Sequence, residues 1–413
     1  MRLVHNICVG MFCALLIPGL AWAQTAVQNS SCVTCHADMF GDMKASVHTQ
    51  HEVLCQNCHG GDPTKADKEA AHDPAAGYIG VPDKKQLVKV CGECHADVER
   101  MNPYGIPTDQ MARYKTSVHG KQLFEQGNAR VAACTDCHGY HDVVMVTDPQ
   151  SPVYPSNVPK TCNQCHGDEK LMSKFNIPSD IFKKYEGSVH GKALFEKKDI
   201  SVAQCVSCHG SHGAVPPGVK DVANVCGKCH LNEQKYFAQS PHASILDKDK
   251  FGGCISCHSN HGIVPVSVAL YGKACVQCHD VNSKEFQVGR QLATMIGDAQ
   301  NKLAEAGDVV KQAGIEGIFV EEETAALEQA KTHVVEMGPL QHTLSVDKIN
   351  DNYKKLSEAV EEVKAKIKNK RNNVLERKIF LIPIWLFIFI MSYAFWTKYK
   401  FLKAHKSKGE TRE

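Results

Sequence analysis

The stretch CVSCHGSH, from Cys205 to His212, holds two thiols and two imidazoles within eight residues. Its first five residues, Cys-x-x-Cys-His, occur nine times between residues 32 and 279. The thiol pairs are Cys32 and Cys35, Cys55 and Cys58, Cys91 and Cys94, Cys134 and Cys137, Cys162 and Cys165, Cys205 and Cys208, Cys226 and Cys229, Cys254 and Cys257, and Cys275 and Cys278. The adjacent imidazoles are His36, His59, His95, His138, His166, His209, His230, His258 and His279. Histidine makes up 22 of 413 residues. Chance would therefore place one after a given Cys-x-x-Cys roughly 5% of the time, and nine coincidences are on the order of one in 10¹². No Cys-x-x-Cys here lacks its histidine. Zinc ribbons and redox pairs also use Cys-x-x-Cys, but the histidine in every copy favours c-type haem attachment. There the two thiols form thioethers to the porphyrin and the imidazole ligates iron.

The motifs belong to a larger repeat. Each unit opens on Ser-Val-His or Ser-Pro-His and carries two Cys-x-x-Cys-His sites, often with a further histidine three residues after the first. Unit one runs from His48 through Cys55 to Cys91, and unit two from His119 through Cys134 and His141 to Cys162. Unit three runs from His190 through Cys205 and His212 to Cys226, and unit four from His242 through Cys254 and His261 to Cys275. SVHGKQLFE at 117–125 and SVHGKALFE at 188–196 mark duplication of a two-haem module, and the site at Cys32 stands outside it.

These phrases, SVHG and CHGxH among nine CxxCH motifs, resemble the multihaem cytochromes c. That group includes the cytochrome c3 type and the superfamily around cytochrome c nitrite reductase and hydroxylamine oxidoreductase. The resemblance implies electron transfer through covalently bound haem. The catalytic haem of the nitrite reductases carries Lys in place of the motif histidine, and no CxxCK occurs here. No motif identifies the crosslinked tyrosine of the hydroxylamine-oxidising relatives. No catalytic residue is therefore assigned.

An iron that only carries electrons needs a second axial ligand. Outside the motifs, the signal segment, the C-terminal helices and the tail, nine histidines remain: His48, His51, His72, His119, His141, His190, His212, His242 and His261. Nine haem c groups and nine candidate distal histidines predict bis-histidine coordination, which leaves no vacant position. Met39, Met43 and Met101 are alternative ligands. His51 and His72 lack repeat equivalents, and His333 or His342 could replace either in the count.

The N-terminus reads as a secretory signal peptide, 1–23, with Arg2 ahead of an apolar run from Ile7 to Leu20 and Ala21-Trp22-Ala23 at the cleavage site. Cleavage removes Cys8 and Cys13 and leaves eighteen cysteines, nine pairs with none over. The formal net charge of +2 offers no basic face for nucleic acid. Residues 24–283 are expected to form a mainly helical domain with little regular structure, packed on haem rather than on side chains.

Past Asp280 cysteine disappears. Leu292, Ile296, Ala299, Leu303, Ala306, Val310 and Ala313 follow helical spacing up to Gly314 and Gly317. A second helix is expected over 321–337, ending at Gly338-Pro339. A third should begin near Ser345, with a seam of Ile349, Tyr353, Leu356, Val360, Val363 and Ile367. These predict a helical bundle over 284–377. Ile379 to Trp396 is eighteen residues without a charge, about 27 Å as a helix, which suits one membrane span over 378–397. The span has no ionisable residue, so quinol chemistry by this chain alone is not expected. Both flanks are basic, so the positive-inside rule does not orient it. Haem attachment outside the cytoplasmic membrane instead predicts a periplasmic haem domain, an inner-membrane anchor and a cytoplasmic tail, 398–413.

The expectation is a membrane-anchored periplasmic nonahaem cytochrome c. It would carry electrons between an integral membrane quinol-oxidising subunit, or other cytochromes, and a periplasmic or outer-membrane acceptor. The alternative is an oxidoreductase acting on a small nitrogen or sulfur compound at one open haem. The intact mass of the mature protein should equal the chain from Gln24 plus nine haems. Fewer haems, or retention of residues 1–23, would contradict the cysteine arithmetic.

Overall fold

The structure, a computed structural model, describes residues 30–218, 221–246 and 251–409, with side chains in the last helix as far as Lys403. The expected signal peptide lies outside the described residues. The chain divides into two compact units. One comprises the chain up to Val225 together with His258–Pro265, and the other Cys226–Cys257 and everything from Val266 on. The described residues are mainly helical and contain no strand.

In the repeat region the helices are short. Many begin at the first motif cysteine and end at the motif histidine, as in Cys55–His59, Cys134–His138, Cys205–His209 and Cys254–His258. One helical turn suffices, because residues i, i+3 and i+4 share a face and so both thiols and the imidazole point the same way. Gly60, Gly139 and Gly210 end three of these turns with φ of 69°, 80° and 80°, in the left-handed region that closes a helix. The apolar core of side chains is small here. Val88, Leu123, Val131 and Ala133 form one buried cluster, and few other residues are buried. Such a core is poor for a chain of this length, which suits packing on porphyrin.

Two matched helices carry the duplicated phrase, Val118–Phe124 (α1) and Val189–Phe195 (α2). Leu123 and Leu194 occupy equivalent positions and are both buried. Gly120 and Gly191 are required by close approach. A Cβ at either would sit 1.9 Å from the Tyr114 carbonyl oxygen or 2.0 Å from that of Tyr185.

The C-terminal unit holds three long helices: Lys284–Ile315 (α3), Glu321–Leu340 (α4) and Val346–Gly409 (α5). Ser283 caps α3 by accepting the Phe286 N–H at 3.1 Å. The α5 seam behaves as its spacing predicts: Ile349, Leu356, Val360, Val363 and Ile367 are buried against Leu292, Ile296, Ala299, Ala306 and Val310 of α3 and Leu327, Ala330 and Met337 of α4. Tyr353 of the same seam is partly buried; its hydroxyl bonds the Asp298 carboxylate and accepts from Lys302 Nζ at 2.6 Å. Arg371 forks onto both Glu316 oxygens at 2.8 and 3.0 Å. Lys370 reaches the buried Glu323 carboxylate at 2.8 Å. Helix α4 runs past the expected end, through Gly338 and Pro339 to Leu340, and then tightens into a 3₁₀ turn, Gln341–Thr343. A proline one residue from a helix end removes a single backbone bond, so the helix survives it.

Helix α5 continues without a break from the bundle into the apolar segment. It contains one stretch long and apolar enough to cross a membrane, with a mean hydropathy of 2.2 and none of it buried within the protein. Trp385, Tyr393 and Trp396 are exposed along it, as interfacial anchors are. Leu356→Ala should open a cavity where α3, α4 and α5 meet and cost about 2–5 kcal/mol. Denaturant unfolding followed by far-UV circular dichroism would read it as an earlier loss of helical signal.

Candidate functional site: paired histidines between modules

In units one to three the opening serine is a buried helix cap. Ser117 Oγ accepts the Gly120 N–H at 2.9 Å, and Ser188 Oγ accepts that of Gly191 at 3.0 Å. The same hydroxyls donate to the Tyr114 and Tyr185 carbonyls at 2.6 Å. Ser46 caps its short helix at the His48 N–H and donates to the Val143 carbonyl at 3.0 Å. His48, His119 and His190 thus stand at the second position of equivalent helices. A capping hydroxyl satisfies a backbone donor that would otherwise be orphaned.

The valine after each of these serines locks one module to the next. Val47 N–H donates to the Val143 carbonyl at 2.8 Å, Val118 to Ala214 at 3.1 Å and Val189 to Ile263 at 2.9 Å. Each acceptor lies two residues beyond a predicted distal histidine, His141, His212 or His261. The bond therefore holds that histidine against the preceding module.

The outcome is a set of facing imidazoles. His36 faces His72 with ring centroids 6.2 Å apart, His95 faces His48 at 6.1 Å, and His59 faces His141 at 6.3 Å. His166 faces His119 at 6.2 Å, His138 faces His212 at 6.0 Å, and His209 faces His261 at 5.9 Å. His279 faces His242 at 6.0 Å. Every pair joins one motif histidine to one outside the motifs. The gap is too wide for a hydrogen bond or a stacking contact. It fits a shared metal: a metal–imidazole bond of about 2 Å on each side, plus about 1.1 Å from nitrogen to ring centre, separates two axial rings by about 6 Å. The residues present therefore fit haem iron.

The electrostatics suit the same role. Burial pushes His48, His95, His119, His138, His166, His212, His242 and His261 below the usual histidine range, so these rings are neutral at neutral pH. Only neutral imidazole ligates a metal. In three rings the tautomer is also fixed: Nδ1 bonds the Gly80 carbonyl from His59 at 2.8 Å, the Lys68 carbonyl from His72 at 2.7 Å and the Val215 carbonyl from His209 at 3.2 Å. Nδ1 donates, and the lone pair is left on Nε2 for iron.

The thiols of successive modules meet as well. The first cysteines of adjoining sites lie within hydrogen-bonding reach, Cys91 with Cys134, Cys162 with Cys205 and Cys226 with Cys254. As free thiols they would be perturbed: the bond from Cys226 holds Cys254 down to about 7, and burial pushes Cys137 up to about 11. As thioethers they do not titrate. His51 lies elsewhere, edge-on to Tyr104 at 4.8 Å. The pairing of distal to proximal histidine is absent from the sequence spacing, since His141 crosses 82 positions to reach His59. The valine-to-carbonyl bonds that arrange it also have no signature of their own.

Residues 47–167 match the family model described as cytochrome c3. The matched segment holds four of the nine motifs, those at Cys55, Cys91, Cys134 and Cys162. The match supports a multihaem c-type cytochrome with covalently bound haem that transfers electrons. No curated protein and no solved structure matches the chain.

Ring orientation gives a spectroscopic check. The His138/His212 and His209/His261 rings are near parallel, at 7° and 11°, whereas His36/His72 stand at 84°. Parallel axial rings split the iron d orbitals in one plane and perpendicular rings do not. Electron paramagnetic resonance of the oxidised protein should therefore contain both rhombic low-spin signals and signals with a large principal g value. A uniformly rhombic spectrum would contradict the arrangement.

Proposed function

We propose that this protein is a membrane-anchored nonahaem cytochrome c that conducts electrons and performs no bond chemistry on a substrate. The observation that carries the reading is the set of seven facing histidine pairs, each at iron-spanning distance and each with one ring from a CxxCH motif. Such pairs would hold the iron from both sides and leave no position for a small molecule. By the repeat, His190 is a further distal ligand, as His119 is for the haem at Cys162 and Cys165. The haem supplies one-electron redox chemistry. The protein's own residues would hold each attachment site, bury several of the facing rings and bring adjoining sites together through the first cysteines at three junctions.

The apolar stretch of α5 supports a single-pass anchor, with the haem units in the periplasm and the short tail in the cytoplasm. Because the span carries no ionisable group, the donor is proposed to be a separate integral subunit that oxidises quinol, or another cytochrome. The acceptor is proposed to be a periplasmic or outer-membrane redox protein. The competing reading, an oxidoreductase for a nitrogen or sulfur compound, needs one five-coordinate haem. Carbon monoxide added to the reduced protein should leave the absorption spectrum unchanged. A carbon monoxide-bound band from one haem would move the protein to the enzyme reading.

A further inference from the structure

We infer that His342, in the turn between α4 and α5, is the distal ligand of the haem attached to Cys254 and Cys257. The inference rests on the bis-histidine reading above and assigns its ninth ligand. Six of these ring pairs follow one rule. The first haem of a unit takes its distal histidine from the next unit: His141 to His59, His212 to His138, His261 to His209. The second haem takes the opening histidine of its own unit: His48 to His95, His119 to His166, His242 to His279. The site at Cys254 is the first of unit four, and no fifth unit follows. Beyond His279 the chain offers only His333, His342 and His405.

His342 has the setting of the other ligands. Its Nδ1 bonds the Pro339 carbonyl at 3.0 Å, as those of His59, His72 and His209 bond carbonyls, which leaves Nε2 to a metal. The turn that bears it is locked. Thr343 is buried, donates to the Leu340 carbonyl at 2.9 Å and accepts the Ser345 N–H at 3.2 Å. Leu344 takes a φ of 54° to close it. His333 differs, with Nδ1 turned toward the Glu336 carboxylate at 3.8 Å on the body of α4.

Placement brings this turn to the right thiols. Gln341 accepts the Tyr271 hydroxyl at 2.9 Å, and the half-buried Tyr271 lies beside Cys275 and Cys257. The turn packs on Leu231–Phe237, the helix that follows the motif at Cys226, and Cys226 touches Cys254. Cys254, Cys257, Tyr271, Gln341 and His342 all belong to one compact unit. His51, a distal candidate by count, is then not a ligand.

The test is the spin state of the purified full-length protein, with haem content checked by mass. His342→Ala should turn one haem of nine high-spin and able to bind carbon monoxide, and His51→Ala should change nothing. Adding His190→Ala to His342→Ala should raise the high-spin count to two. His342→Met should keep that haem six-coordinate while raising its potential, since methionine ligation favours the reduced iron. A wild-type spectrum free of high-spin signal that stays so in His342→Ala, or a high-spin haem in His51→Ala, would overturn the assignment. A high-spin haem already present in the wild type would instead count against the bis-histidine reading itself.

Discussion

Two imidazoles held about 6 Å apart are the constraint on which the haem region depends. One comes from a Cys-x-x-Cys-His motif, and the other from a different helix or module. Neither has a hydrophobic reason to stop at that distance. Their spacing suits a shared iron, and the sparse side-chain core around them suits packing on porphyrin. Hydrophobic stabilisation would then come chiefly from burying porphyrin faces, which are large, flat and apolar. A polypeptide with so few buried aliphatic residues in this region has little else to fold around.

The repeat is therefore interlocked rather than serial. In units one to three the opening helix carries a histidine that faces a motif ring and donates a backbone bond to the segment of the next unit that carries a histidine back. The facing of the histidines and the valine-to-carbonyl bond act on the same junction. Each module thus completes its neighbour, as in repeat proteins, where a single unit cannot bury its own surface. The last module meets the C-terminal helices instead of another copy. The bundle there is conventional, with an aliphatic seam, a forked Arg371–Glu316 pair and one helix that continues into the apolar segment.

Much of the candidate site is legible without coordinates. The CxxCH spacing names the proximal histidines, because a single helical turn must present two thiols and an imidazole on one face. The 3.6-residue periodicity of Leu292 to Ala313 and of Ile349 to Ile367 names the bundle seams, because burial requires one apolar stripe per helix. The charge-free run from Ile379 to Trp396 names the segment long enough to span a membrane. Helix ends were less legible. Pro339 reads as a stop, yet one lost backbone bond in a final turn is too small a cost to end the helix there.

The histidine pairing is where sequence reading runs out. Composition supplies nine further histidines without saying which ring meets which. His51 and His342 are indistinguishable by residue type and count. Nothing local separates them, because a distal ligand is defined by a partner tens of positions away and by which Nδ1 is tied to a carbonyl. The sequence by itself determined the Cys-x-x-Cys-His spacing, the modular repeat and the apolar segment long enough to span a membrane, all set by spacing within one helical turn or along one helix. The tertiary structure alone decided which histidines face each other across modules and the position of the Gln341–Thr343 turn beside Tyr271, because those contacts depend on how separate segments close upon one another.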